Sequence, residues 1–574
     1  MEIKSALWRA VLIGMALFTA LPILAVFGYV FVPAPAVWQH LIQTVLPDYL
    51  LNTALLTLGV GVGVLLLGLP AAWLNSMCRF PGQQLFEWAL LLPLAMPAYI
   101  IAYTYTGMLD FSGPVQSLLR DATGWGYGDY YFPNIRSLGG AILMLALVLF
   151  PYVYLLARAA FLEQSVCVLE VSRTLGCNPW QSFFQVALPL ARPAIITGLS
   201  LALMETLADF GTVQYFGVTT FTTGIFRTWF GLGDHAAASQ LAALLLGFVF
   251  MLILLERWSR RRARYHHTSS RYSRLPRHQL HGGQALAAVL VCALPLLLGF
   301  VIPVGQLLYW SLTTAAEGLN PAFFKLVSHS LLLAGLAALS ALLLALVLGY
   351  GKRVRNDPLV NLTARIAAMG YAIPGTVIAV GVLIPFAWTD TQLNLLTRAW
   401  FDTRIGLLLS GTLFTVLFAY NVRFLAVSLQ TVEAGLGKIK PTVDNAGRSL
   451  GLNALGVLYR LHLPLMKGTL LTALLLVFVD VLKELPATLI LRPFNFNTLA
   501  VRTYELASDE RLADAGLPAL MIVAAGIVPV ILLSRSIGKS RAGAHRKPVR
   551  QKEARETRKA NEQINPAEYS HRLR

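Results

Sequence analysis

The chain has 574 residues, of which 56% are hydrophobic and 13% are charged. A soluble chain of this length would hold several domains, and the hydropathy excludes that class in favour of a membrane protein. The formal net charge of +18 is compatible with nucleic-acid binding, but most Lys and Arg residues fall in alternate loops between apolar runs. That placement indicates a lipid membrane as the partner and no nucleic acid.

Apolar runs of about 20 residues recur along the chain, and each is long enough to cross a roughly 30 Å hydrocarbon core as a helix. The sequence therefore predicts an all-α, polytopic helical membrane protein with about 12 transmembrane helices. The predicted spans lie near residues 8–32, 51–74, 87–109, 137–157, 193–216, 236–256, 284–312, 327–350, 360–388, 405–422, 469–491 and 514–534.

The first span follows Lys4 and Arg9 and could imitate a signal peptide, with Ala34-Pro-Ala36 as a cleavage site. The apolar run is longer than a usual signal-peptide core, and a proline lies inside the site, so we expect an uncleaved helix. The loops on the side of the N-terminus carry the excess of Lys and Arg. By the positive-inside rule, both termini are predicted to be cytoplasmic.

The first conspicuous motif lies in the polar loop between the fourth and fifth spans. It reads Glu170-Val-Ser-Arg173-Thr-Leu-Gly176 and is followed by Val-Ala-Leu-Pro189. We expect a short helix that ends near Gly176, because glycine is favoured just past a helix end. Pro179 suits the first position of a second helix, and Pro189 would mark the bend back into the membrane.

The same pattern returns 275 residues later, with Asn445, Arg448, Gly451 and Pro464 at the corresponding positions. One interpretation is that both segments are ordinary cytoplasmic connectors. The alternative is that each is a docking element for another protein. Loops usually drift in length after duplication, so the shared spacing favours docking.

The register of the repeat predicts two parallel six-helix copies in one chain. We assign residues 1–256 to the first copy and residues 282–535 to the second. Residues 257–281 form a basic cytoplasmic linker that suits anionic lipid headgroups better than RNA. Residues 536–574 form a basic cytoplasmic tail without an apolar period, which predicts disorder.

Acidic residues recur inside the fifth span of each copy. Glu205 and Asp209 are four apart in the first copy, and Asp480 and Glu484 occupy the corresponding positions in the second. Residues four apart share one helix face, and a charge within a bilayer costs roughly 2.5–3.5 kcal/mol on insertion scales. The four acids either line a translocation path and give it a negative potential, or pair locally with groups such as Lys483.

The loop motif, with its acid, its glycine and the Leu-Pro step, resembles the signature of membrane subunits of bacterial ABC importers of the first type. In that family the short helix is a coupling helix that seats in the ATP-binding subunit. The second copy departs from the pattern, because Asn445 stands where the family prefers Glu and Asp444 comes one position earlier. The stretches Met204–Trp229 and Lys483–Ala500 look like the fused iron(III) permeases.

The resemblance implies a multi-pass permease subunit of a bacterial inner membrane rather than an enzyme, with no catalytic residue, no assigned metal site and no cofactor on this chain. It implies a homodimeric ATP-binding subunit and a periplasmic iron-binding protein as partners. Gly538-Lys-Ser540 is only a fragment of a phosphate-binding loop, because Leu533 stands where that loop needs its first glycine. ATP is therefore expected on the partner subunit.

Two alternatives to an iron(III) importer remain open. The first is an ABC permease that carries thiamine, a polyamine or an oxyanion. An anion path should show unpaired Lys or Arg in the spans, whereas the fifth spans of the two copies hold four acids and one Lys. The second is an ion-coupled secondary transporter with the membrane acids as proton or sodium sites, which gives no reason for two matched loops.

Overall fold

The computed structural model describes residues 2–126, 128–163, 179–261, 278–355 and 357–540. Almost all of these residues are helical. The strands in the described ranges are Cys78–Arg79 and His278–Gln279, which pair in parallel and attach the end of the predicted linker to the first half. Most of the predicted linker and tail lies outside the described residues.

The first half contains six long or membrane-embedded helices, joined by short ones. The long helices are α1 (Glu2–Tyr29), α2 (Leu46–Met77), α3 (Ala98–Leu109), α4 (Leu138–Glu163), α5 (Leu188–Ala208) and α6 (His235–Arg261). The short helical segments are Pro35–Thr44, Gln83–Ala89, Leu92–Ala95, Pro114–Thr123, Pro179–Ser182, Phe183–Ala187, Gly211–Tyr215, Phe221–Phe226 and Arg227–Gly231.

The second half repeats this order. Its long helices are α7 (Gly282–Leu296), α8 (Ile302–Gly318), α9 (Pro321–Val354), α10 (Gly375–Phe401), α11 (Leu413–Gly437), α12 (Lys467–Leu482) and α13 (Gly516–Ser540). A π turn, Leu297–Val301, joins α7 to α8. The other short segments are Pro358–Ala367, Ala368–Ala372, Pro441–Ser449, Ala454–Val457, Leu458–His462, Leu463–Leu465, Pro486–Leu491 and Leu499–Ser508.

The all-α polytopic prediction is confirmed. Nine helices of the described residues are long and apolar enough to cross a membrane, and counting two bent helix pairs as single spans gives up to 11. A shorter apolar helix, Gly516–Ile531, lies where the last span is predicted. The predicted boundaries are less accurate, because α6 continues to Arg261 and α13 continues to Ser540.

The third span of each half is interrupted at a corresponding proline. Pro97 precedes α3 and Pro374 precedes α10, and the residues before them, Met96 and Ile373, are both extended. A residue before proline is pushed out of the helical region by the proline ring, so the sequence itself places these breaks. In the first half the helices on either side of the break meet at 91°.

Each half places its first helix against the other half. The ring of Phe18 on α1 packs edge-on against Phe418 of α11, with centroids 4.2 Å apart. In the other direction, the Tyr105 hydroxyl on α3 donates a hydrogen bond to the carbonyl of Leu298 at 2.7 Å. The two halves therefore contact each other through their first helices, and residues from both halves lie at the centre of the molecule.

Glycines allow α2 and α4 to approach closely. A Cβ on Gly63 would lie 2.7 Å from the Cβ of Ala146, and one on Gly68 would lie 2.8 Å from the carbonyl oxygen of Phe150. Lipid tails are as apolar as the side chains, so helix association in a bilayer depends on such close packing. This close contact fixes the positions of α2 and α4 relative to each other in the first half.

Candidate functional site

A cavity of about 120 Å³ lies between the two halves and is lined by residues at the ends of α5 and α12. The four acids that the sequence singles out all line it, together with two basic side chains: Glu205, Asp209, Asp480, Glu484, Arg423 and Lys483. The structure thus brings the four acids together at one place. Their role in translocation stays a prediction.

Asp209 does not share a helix face with Glu205, as the spacing of four predicts, because α5 ends at Ala208. Its carboxylate accepts hydrogen bonds from the Thr212 hydroxyl at 2.9 Å and from the Val213 N–H at 3.1 Å. Asp209 therefore caps the short helix that follows the break. The shared-face prediction is wrong here, because the free N–H groups at the start of that helix need an acceptor.

Glu484 behaves similarly beyond the end of α12. Its Oε1 atom accepts hydrogen bonds from the Ala487 N–H at 3.0 Å and from Nη1 of Arg423 at 3.2 Å. Both charged side chains are buried, and an isolated buried ion would cost several kcal/mol. A Cβ on Gly375 would overlap both groups, so the glycine leaves the space in which this ion pair forms.

The remaining two acids differ from each other. Asp480 forms an ion pair with Lys483 one helical turn away, at 2.8 Å between Oδ1 and Nζ. No hydrogen bond or ion pair joins Glu205 to a neighbour within the part of the chain that the structure describes. The local-pairing interpretation therefore fits Asp480, and Glu205 is the acid that faces the cavity without a direct partner.

The acids form a charged surface rather than a ligand cage. Within the described ranges, no group of three or more His, Cys, Asp or Glu side chains is arranged to hold a metal ion. A hard cation would prefer carboxylate oxygens, but a tight site would hold it in place.

Sequence reasoning missed three residues of this cavity. Arg423 falls one residue past the predicted span 405–422, whereas α11 continues to Gly437 and buries the guanidinium beside the cavity. The apolar period that continues past Arg423 was the available signal. Tyr99 and Tyr371 also line the cavity, and the hydroxyl of Tyr99 is buried without a hydrogen-bond partner.

The second predicted docking loop has the helix–turn–helix geometry that its sequence predicts. The helix Pro441–Ser449 is followed by Gly451 in the left-handed region, at φ 84°. The Leu452 N–H bonds to the carbonyl of Gly447 at 3.0 Å, which is the capping pattern that such a glycine permits. Asn453 then caps the next helix by accepting from the Gly456 N–H at 2.7 Å.

Asp444 fastens this loop to the membrane helices. Arg353, at the end of α9, donates to its carboxylate from Nε at 2.8 Å and from Nη2 at 3.1 Å, and Nε2 of His462 lies 2.7 Å from Oδ1. Burial raises the pKa of Asp444, but Arg353 and His462 outweigh it and hold the pKa below its ordinary value. Asp444 therefore serves as an internal brace and does not replace the missing glutamate as a docking contact.

The outer surface of the second loop is exposed. Leu450, at the tip of the turn, is 84% exposed, and Asn445 and Arg448 on the preceding helix are also exposed. The bend predicted at Pro464 is present, because the helical segment Ala454–Leu465 meets α12 at 79°. The loop is thus a hydrogen-bonded, solvent-exposed element that is joined to α12 through the bend of 79°.

The first predicted docking loop is described only at its end. Glu170, Arg173 and Gly176 lie outside the described residues, so their assignment stays a prediction. The helix that follows begins at Pro179, as predicted. The bend predicted at Pro189 is absent, because Pro189 lies in the first turn of a helix, where a proline is tolerated, and one continuous helix runs through Phe183–Ala208.

Comparison with known proteins adds two kinds of similarity. The model of the family described as "binding-protein-dependent transport system inner membrane component" matches residues 64–265. Along nearly its whole length, the chain is similar to the Fe(3+)-transport system permease protein FbpB 2 of Haemophilus influenzae. The two are 28% identical over 538 residues, which cover 92% of this chain and 98% of the relative.

Two further relatives match to different extents. The ferric transport system permease protein FbpB of Actinobacillus pleuropneumoniae is 24% identical over 83% of this chain and 69% of its own length. The molybdenum transport system permease protein ModB of Escherichia coli is 30% identical over 38% of this chain and 97% of its own length. The chain therefore belongs to the binding-protein-dependent transport system inner membrane components, the multi-pass permease subunits of ABC importers that work with a binding protein and an ATP-binding subunit.

Proposed function

We propose that this permease imports iron(III) from the periplasm to the cytoplasm, with both halves of the importer's membrane pathway fused in one chain. The single observation that carries this assignment is the similarity to an Fe(3+)-transport permease over 98% of that relative's length. The excess of carboxylates over cationic groups in the central cavity supports a cationic cargo. A periplasmic iron-binding protein would deliver the cargo to the outer face.

The termini and both docking loops face the cytoplasm in this proposal. Two copies of a separate ATP-binding subunit dock on residues 165–180 and 440–455, and this chain binds no cofactor. The exposed Leu450 supports a docking role for the second loop, because a leucine that is 84% exposed at the tip of a rigid turn gains from being covered. ATP binding and hydrolysis take place on the partner.

The second loop is coupled to the cavity through one helix. The docking helix Pro441–Ser449 is braced by Asp444 and leads through an elbow of 79° into α12, which carries Asp480 and ends beside Glu484. When the ATP-binding subunits close, the loops move together and α12 changes its tilt. That movement alternates the cavity between an outward-open and an inward-open state, and ATP biases the equilibrium between them.

The assignment is tested by iron uptake in proteoliposomes. The permease is reconstituted with its ATP-binding subunit and binding protein, and radioactive iron-55 uptake is measured with ATP on the side of the docking loops. We expect uptake that requires ATP and the ATP-binding subunit together. Uptake driven by a proton or sodium gradient in the absence of that subunit would establish the secondary-transporter alternative instead.

Docking is tested with two matched leucines at opposite ends of α11. Leu450 follows the docking helix, and Leu408 lies in the loop before α11 and is 50% exposed. Leu450→Asp should lower both subunit association and ATP-dependent uptake about tenfold, since a loss of about 1.4 kcal/mol corresponds to a factor of ten. Leu408→Asp should leave association unchanged. Equal effects of the two substitutions would contradict the docking role.

An anionic cargo is the second candidate, and the molybdenum permease relative favours it. The sulfate transport system permease protein CysT of Escherichia coli also matches, at 27% identity over 66% of its length. Both relatives match only part of this chain. Competition decides between the cargoes: excess molybdate or sulfate should leave iron uptake unchanged, and uptake of labelled sulfate without iron uptake would favour the anion.

A further inference from the structure

We propose that the cation path through the central cavity is one-sided. Glu205 of the first half is the carboxylate that contacts the cation, and Lys483 is an internal counter-ion that pairs with Asp480 and keeps it from contacting the cation. This inference rests on the proposed import of a cation. It assigns a role to Lys483, for which the motifs alone suggest none. It also makes Glu205 and Asp480 unequal, although they occupy equivalent positions of the repeat.

The inequality follows from the contacts at the two positions. Glu205 and Asp480 correspond in the repeat register, 275 positions apart, and both line the cavity. Asp480 is held by the Lys483 ammonium at 2.8 Å. The position that corresponds to Lys483 in the first half is Ala208, so Glu205 has no such partner on its own helix. The ammonium makes its direct contact with Asp480, whereas Glu205 interacts with Lys483 and Arg423 only at longer range and keeps its carboxylate free of a direct partner.

The second basic group of the cavity strengthens the same asymmetry. Arg423 pairs with Glu484 at 3.2 Å, and both side chains are buried. In the 275-residue register of the repeat, Val148 stands at the position that corresponds to Arg423, and it also lines the cavity. Both acids of the second half are therefore neutralised by basic residues of that half, whereas the first half contributes carboxylates and no basic residue to the cavity.

Asp209 is the other carboxylate of the first half, and its hydrogen bonds assign it a different task. It accepts from the Thr212 hydroxyl and the Val213 N–H and so caps the helix after the break. A carboxylate that is fixed in a cap contributes charge but cannot turn toward a moving ion. Glu205, on the last turns of α5 and without a hydrogen-bonded partner among the described residues, can approach the ion and release it.

The Tyr99 hydroxyl supplies a second observation that points to an occupant. Tyr99 is 94% buried, lines the cavity, and has no hydrogen-bond partner for its hydroxyl in the described structure. Unpaired buried polar atoms are costly, and a polar ligand that reaches this hydroxyl would satisfy it.

Four variants test the proposal in the reconstituted importer with its ATP-binding subunit and binding protein, with iron-55 uptake as the readout. Glu205→Gln should lower uptake at least tenfold, and Glu205→Asp, which keeps the charge, should retain most of it. Asp480→Asn should also lower uptake at least tenfold, because it leaves the Lys483 ammonium unpaired in the path. Adding Lys483→Met to Asp480→Asn should raise uptake at least fivefold above Asp480→Asn alone.

The sharpest test moves the unpaired carboxylate from the first half to the second. In Glu205→Gln combined with Lys483→Met, the first half loses its unpaired carboxylate, and Asp480 at the corresponding position loses its Lys483 partner. We expect this double variant to transport iron at least threefold faster than Glu205→Gln alone. An uptake no higher than that of Glu205→Gln, or normal uptake by Glu205→Gln itself, would overturn the proposal.

Assembly and cargo are controlled separately. Association with the ATP-binding subunit and its ATPase rate show whether each variant is folded, and if Glu205→Gln does not assemble, the comparison of Asp480→Asn with its Lys483→Met double variant decides. A wild-type importer that carries no iron refutes the proposed cargo. A wild-type importer that carries iron, together with variants that do not follow the predicted order, refutes only the one-sided path.

Discussion

The two copies of the docking segment are attached to the membrane helices by different interactions. In the first copy the helix after the loop is held by an aromatic cluster at the C-terminal ends of α2 and α4. The ring of Trp73 lies 5.3 Å from that of Phe161 and 4.7 Å from that of Phe183, measured between centroids. All three rings are largely buried, so this brace depends on packing.

In the second copy charge holds the docking helix Pro441–Ser449 to α9 and to the helix after the turn. Arg353 and His462 bind Asp444, and the Arg353 guanidinium also donates to the carbonyls of Leu436 and Ile439. The π turns Phe183–Ala187 and Leu458–His462 nevertheless lie 275 positions apart, as the motifs do. The duplication has therefore kept the position of the π turn, whereas the bend after it is present only in the second copy and the braces differ, with aromatic packing in the first copy and ion pairing in the second.

Removing the aromatic brace should have the largest effect, and it should be confined to the first copy. Phe183→Ala leaves a cavity between Trp73 and Phe161 and is expected to lower the local unfolding free energy by about 3–4 kcal/mol. Hydrogen exchange of residues 179–188 measures this loss. Phe184→Ala is the matched control, because Phe184 is 58% exposed and should cost less than about 1 kcal/mol.

Removing the ionic brace should have the next largest effect, in the second copy alone. Arg353→Met leaves Asp444 beside His462 without the guanidinium and two carbonyls without their donor, which should cost about 2–3 kcal/mol. The neighbouring Lys352→Met is the control, because its pair with Glu433 is about one-third exposed and should contribute less than about 1 kcal/mol. Hydrogen exchange of residues 441–449 separates the two. A similar loss in both variants would show that the fork of hydrogen bonds does not hold the loop.

Acid should distinguish the two braces. The pKa of Asp444 is lowered in the folded protein, so its ionic contribution is complete above the ordinary pKa near 3.9 and is lost as the pH falls through the lower folded value. The wild type should exceed Asp444→Asn by about 1.5 kcal/mol in thermal unfolding between pH 5 and pH 8. That difference should disappear below about pH 3. A difference that persists there would mean that the brace is not ionic.

Much of the fold follows from the sequence, because hydropathy over about 20 residues decides where a helix can cross a membrane. Pro97 and Pro374 also mark their breaks in the sequence, since a proline acts on the residue before it. The repeated spacing predicts the turn at Gly451, because the end of one helix and the start of the next each depend on the preference of a single residue for its position. These predictions depend on neighbours along the chain.

The missed features depend on partners that are distant in the sequence. The pair between Arg423 and Glu484 joins two helices, and no local pattern says that a guanidinium 61 positions earlier will meet the carboxylate. The end of α5 at Ala208 was missed for a related reason, because Asp209 is drawn to the N–H groups of the next helix. The different braces of the two loops likewise arise from contacts between elements and not from the loop motifs.

The smallest predicted effect concerns what the two loops still share. Gly451→Ala forces a Cβ into the left-handed region at φ 84°, which should cost about 1 kcal/mol, although no atom lies within 4 Å of that Cβ. Gly437→Ala, on the same side of the loop with ordinary φ and open space, should be neutral or slightly stabilising. Gly176 occupies the corresponding position of the first motif, so Gly176→Ala should match Gly451→Ala in its effect on ATP-dependent uptake. Unequal losses would show that the duplicated motif no longer specifies the same turn, and that the two copies differ in backbone as well as in the interactions that hold them.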